Sequence, residues 1–134
     1  MSALIEEFKR EHSEIIDSLN EVKEHGILAK ESKAKLRSIK LSLIEHLDVE
    51  DEKFYPVLWK EAKQNKKLKE KLEIFAKDLK NVSKVAFDFF DRYENGFFGT
   101  RLLEAFETLF TVLRYRMENE ENLLFGEYEK CLKL

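Results

Sequence analysis

The feature that most limits how this chain can fold is an apolar period of three to four residues that runs almost from end to end. Leu4, Phe8, His12, Ile15, Ile16, Leu19 and Val22 share one helical face from about residue 2 to His25, where Gly26 offers a stop. A second stripe, Leu36, Ile39, Leu43, His46, Leu47, Glu50, Phe54 and Leu58, spans about 31–64. Pro56 lies inside it, where a missing N–H should kink the helix or split off its last two turns. A third stripe, from Leu68 through Phe75, Val82 and Phe89 to Tyr93, covers about 67–94 and closes at Asn95-Gly96. The fourth uses Leu102, Phe106, Leu109, Leu113, Arg116, Met117, Glu120 and Leu124 across about 100–132, with Thr100 as its cap. Four glycines and one proline are too few turn-formers for a sheet protein. The expected fold is therefore all-α, a single domain over 1–134 with four helices packed antiparallel, up-down-up-down.

Charge and targeting signals narrow the function classes. Twenty-four basic against 27 acidic residues give a formal charge of -3, which provides no basic field for nucleic acid or an acidic membrane. No apolar run approaches the roughly 20 residues that span a bilayer. The start of the chain, MSALIEEFKREH, lacks the layout of a signal peptide, so the cytoplasm is the expected compartment. Cys131 is the single cysteine and has no internal disulfide partner. The phenylalanines at 87, 89, 90, 97 and 98 are expected to fill core rather than to shape a ligand pocket or partner surface.

The two halves of the chain resemble each other. His12 precedes His46 by 34 residues, and the stripe position Val82 precedes Arg116 by the same interval. HLDVEDEKFYP from His46 aligns without gaps on RMENEENLLFGE from Arg116, pairing Glu50 with Glu120. Residues equidistant from a connecting loop lie side by side in an antiparallel hairpin. The midpoints between these positions fall near residues 29, 64 and 99, all in expected loops. His12, His46, Val82 and Arg116 should therefore share one layer, with Glu50 and Glu120 about one turn away.

Two imidazoles and two carboxylates pointing into a bundle need a partner, because unpaired buried charges cost several kcal/mol each. A cation is one solution. His46 and Glu50, four residues apart, face the same way and can reach one ion. EHSEII around His12, HLDVEDEKFYP from His46 and ENEENLLF through Glu120 are the segments on which the chain resembles the hemerythrin and hemerythrin-like cation-binding domains. That resemblance spans nearly the whole sequence and implies their four-helix bundle. In that family a first-helix histidine and the His-x-x-x-Glu of the second helix serve one iron of a di-iron pair. Histidines of the third and fourth helices serve the other, and carboxylates bridge the two. Carried over, His12 and His46 are the imidazole ligands and Glu50 and Glu120 the carboxylates.

The chain departs from that pattern on one side only. The third-helix histidine position is Val82, or Ser83 if the register slips by one, and the fourth-helix position is Arg116. Only three histidines exist, and His25 sits at the end of the first helix, far from the layer. The expectation is one non-haem iron per chain, with manganese or zinc also acceptable to such donors. Arg116 would stand in for the second metal, its guanidinium beside Glu50 and Glu120. The implied role is sensing or handling oxygen, nitric oxide or redox state, with a diatomic molecule as ligand. The alternative is a metal-free helical interaction module in which Arg116, the carboxylates and the histidines form a buried network. No substrate motif or long lid loop suggests an enzyme.

Overall fold

The computed structural model describes residues 2–96 and 99–133. Among the described residues six α-helices build four arms: α1 (Ala3–His25), α2 (Lys30–Val49), α3 (Tyr55–Ala62), α4 (Lys66–Glu94), α5 (Thr100–Leu123) and α6 (Phe125–Leu132). A π-helical turn, Glu50–Phe54, joins α2 to α3 in the second arm, and α5 with α6 forms the fourth. The arms alternate in direction, so the chain is an all-α, up-down-up-down bundle. None of its helices is long and apolar enough to cross a membrane, among the described residues.

Helix ends follow local chemistry. The Ser2 side chain accepts a hydrogen bond from the Ile5 N–H and opens α1, and Asn65 does the same for α4 through Leu68. Gly26 closes α1 at φ 93°, a conformation open to glycine at little cost. The cap before α5 is Gly99, with Thr100 already helical, so the expected threonine cap is not used.

Two arms are broken: the second near Pro56, where a kink or split is expected, and the fourth within 100–132, where a continuous helix is expected. In the second arm the break is the π turn, in which the Tyr55 N–H donates to the Glu50 carbonyl. Pro56 follows in the first turn of α3, where its missing N–H matters least. The buried positions His46, Glu50, Phe54, Leu58 and Ala62 are spaced by four throughout. A regular α-helix drifts off its face at that spacing, and the wider π turn restores the alignment. In the fourth arm the break is at Leu124, 70 residues after Phe54. The duplication thus extends to the backbone.

The core forms two apolar clusters. One, built on Ile15, Leu19, Leu36, Ile39, Val82, Phe89, Phe106 and Leu113, fills the end nearest the α1–α2 and α4–α5 loops. The other, rich in aromatic rings, gathers Phe8, Phe54, Phe75, Phe125 and Tyr128 with Ile5, Leu68 and Leu72 at the opposite end. Of the phenylalanines expected in the core, Phe89 and Phe90 are buried, but Phe87 is 74% exposed. Phe97 and Phe98 lie outside the described residues. Cys131 packs beside the aromatic cluster, and burial pushes its thiol pKa up.

Candidate metal centre

Between the two apolar clusters three arms each place polar side chains in the core: His12 from α1, His46 and Glu50 from the second arm, and Arg116 and Glu120 from α5. All five are at most 3% exposed. The imidazole Nε2 atoms of His12 and His46 face each other at 3.1 Å. Glu120 Oε1 lies 3.5 Å from His12 Nε2, and Glu50 Oε1 lies 3.3 Å from His46 Nε2. His12, His46 and Glu120 bring one donor atom each within 4.8 Å of one another, a set that can hold a metal ion.

The outer ring nitrogens explain why the inner ones converge. His12 Nδ1 is 2.8 Å from Glu121 Oε2, and His46 Nδ1 is 2.6 Å from Glu11 Oε1. Each carboxylate is placed to accept an Nδ1 proton, and in the neutral imidazole that arrangement frees the corresponding Nε2 lone pair to bind a cation. Two bare lone pairs 3.1 Å apart repel unless a cation or a shared proton lies between them. Metal–ligand bonds of about 2.0–2.2 Å separate neighbouring donors by roughly 3.0–3.5 Å in octahedral or tetrahedral geometry. The 3.1, 3.3 and 3.5 Å contacts fall in that range, while the His12, His46 and Glu120 donors as a set lie within 4.8 Å of one another and Glu50 is not part of that set.

The carboxylates are poised unequally. Burial, then the charge of Glu120, pushes the Glu50 carboxyl well above the usual carboxylate range. Its Oε2 is fully buried with no hydrogen-bond partner in the structure. Glu120 is also opposed by burial, but hydrogen bonds from His12, Glu50 and Tyr55 and the charge of Arg116 hold it down at about 2. A carboxylate pair in which burial opposes ionisation of one member while donors favour ionisation of the other gains from a cation that replaces the proton.

Arg116 occupies the far side of Glu120. Its Nη1 donates to the Phe75 carbonyl at 3.1 Å and to Asp78 Oδ2 at 3.0 Å, and its Nη2 donates to the Tyr55 hydroxyl at 3.0 Å. Tyr55 in turn donates to Glu120 Oε2 at 2.6 Å, closer than the 3.6 Å direct approach of the guanidinium. Burial, with the charges of Glu120 and Glu50, raises the Tyr55 pKa and keeps it a phenol and hence a donor. Val82 lies fully buried in the loop-end apolar cluster, and the α4 groups that reach Arg116 are Asp78 and the Phe75 carbonyl. His25 remains at the end of α1, away from the layer.

Sequence reading placed the four donor residues in one neighbourhood but did not find Glu11, Glu121, Tyr55 or Asp78. A signal existed for two of them, since Glu11 and Glu121 directly adjoin donor positions. Each serves the histidine of a different helix.

The hemerythrin HHE cation binding domain, compared as a family with this chain, matches residues 3–128. The chain belongs to that family of cation-binding four-helix bundles. No curated protein and no solved structure matches it.

Proposed function

We propose that His12, His46, Glu50 and Glu120 bind one divalent metal, with non-haem iron the expected occupant and manganese or zinc accepted by the same donors. The observation that carries this reading is the convergence of two imidazole Nε2 atoms on each other while both Nδ1 atoms face carboxylates. The orphaned Glu50 Oε2 supports it, being an acceptor that a cation satisfies. Bound iron would supply a one-electron redox centre with open coordination positions. The chain's own residues would do the rest: Glu11 and Glu121 orient the imidazoles, and the flanking aromatic cluster limits water. Arg116 takes the place of a second metal, which the valine at position 82 leaves short of a ligand. A single centre suits sensing or handling of oxygen, nitric oxide or redox state in the cytoplasm better than oxygen carriage, which needs two electrons from a metal pair.

A second reading, a metal-free interaction module, draws support from the Asp78–Arg116–Tyr55–Glu120 chain, whose groups satisfy one another through direct hydrogen bonds. Metal analysis with anaerobic iron(II) titration of wild type, His46→Ala and Glu50→Ala separates the two. One metal per chain, lost in both variants, is the expected result. A value near zero throughout refutes the metal reading, and two per chain refutes the single centre.

A further inference from the structure

We infer that the outer face formed by α2 and α4 is an interface for a second copy of this chain. The second and third arms touch chiefly through α3, whereas α2 and α4 scarcely meet. Between them lie two adjoining hollows of about 770 and 250 Å³. Leu43 and Phe90 form the buried floor, and Leu41, Ile44 and Phe87 stand on the rim at 59, 49 and 74% exposure. Large apolar side chains grouped on one exposed face mark an interaction surface more often than scattered ones do.

The charges around this rim identify the occupant. On α2, Lys33 and Arg37 lie eight and four residues before Leu41 and share its edge, and Asp48 lies seven after it. On α4, Asp91 and Glu94 lie four and seven residues after Phe87, and Lys80 lies seven before it. Lys40 reaches across to Glu94, which fixes the basic end of α2 beside the acidic end of α4. The four corners therefore alternate in sign: basic and acidic at the loop end, acidic and basic at the other. A two-fold axis lying in such a face, along the helices or across them, always sets a basic corner on an acidic one. The face is complementary to itself, as an isologous dimer requires.

The proposal is independent of the metal centre and is tested on the full chain by sedimentation equilibrium from micromolar to sub-millimolar concentration, with and without iron. Wild type should dimerise. Phe87→Glu and Leu41→Glu, both at exposed positions, should raise the dimer dissociation constant by about 30-fold or more, as loss of a central apolar contact does. Circular dichroism should show unchanged helicity in both. Lys33→Glu with Arg37→Glu should also weaken association, through the corner charges alone. A wild type that stays monomeric across the range overturns the inference, even if the monomer binds an apolar dye or another protein through this face. A dimer indifferent to Phe87→Glu overturns it equally.

Discussion

Glu50→Gln separates a metal ligand from a structural ion-pair partner, because the two roles predict opposite effects on the metal-free protein. Glu50 is buried, its Oε2 has no hydrogen-bond partner, and its carboxyl pKa is raised first by burial and then by Glu120. A buried acceptor without a donor costs about 1–3 kcal/mol. Glutamine keeps the shape, carries no charge, and can donate an amide N–H toward Glu120 without taking up a proton. The metal-free variant should be more stable than wild type by about 1–2 kcal/mol at neutral pH, a rise in Tm of roughly 3–6 °C for a domain of this size. The pH dependence has a definite sign. An acid whose folded pKa is raised costs stability once the unfolded chain ionises, above roughly pH 4.3, and the penalty grows until the folded pKa is reached. The advantage of glutamine should therefore appear above that pH and vanish below it. Thermal melts of chelator-treated protein across pH, paired with iron(II) titration, measure both halves of the prediction. Metal affinity should fall sharply while stability rises. A variant destabilised by more than about 1 kcal/mol that still binds metal would refute the assignment.

The carboxylates behind the imidazoles should matter to affinity more than to the fold. Glu11→Ala and Glu121→Ala are each expected to weaken metal binding about 10–100-fold by calorimetric titration, and an unchanged affinity in both would remove their orienting role. Tyr55→Phe deprives Arg116 of an acceptor and Glu120 of its shortest hydrogen bond. In urea denaturation it should cost about 1–3 kcal/mol, and a loss below about 0.5 kcal/mol would show that the chain of contacts is not coupled. Val82→His combined with Arg116→His should raise metal content from one to two per chain. Continued binding of a single metal would count against position 82 as the missing ligand and turn attention to Asp78.

Much of this protein is legible in its sequence because burial in a helical bundle repeats every three to four residues, so the stripes reveal both the helices and their inward faces. The near equality of the hairpin arms also set His12, His46 and Glu120 in one neighbourhood before any coordinates, and these are the residues whose donor atoms converge. The bond partners were not legible. Glu11 and Glu121 stand outside the apolar stripes, and only the rotation of neighbouring helices about their axes turns each toward another helix's histidine. Tyr55 reaches Glu120 from just beyond a π turn, and one extra residue in a helical turn shifts the direction of everything after it. Arg116 was visible as a charge in an apolar stripe, yet its long side chain bonds Asp78 and Tyr55 rather than lying level with Val82. Periodicity along one chain thus determined which residues go inside, whereas the phase and tilt between helices, which no single stripe encodes, decided which of them touch.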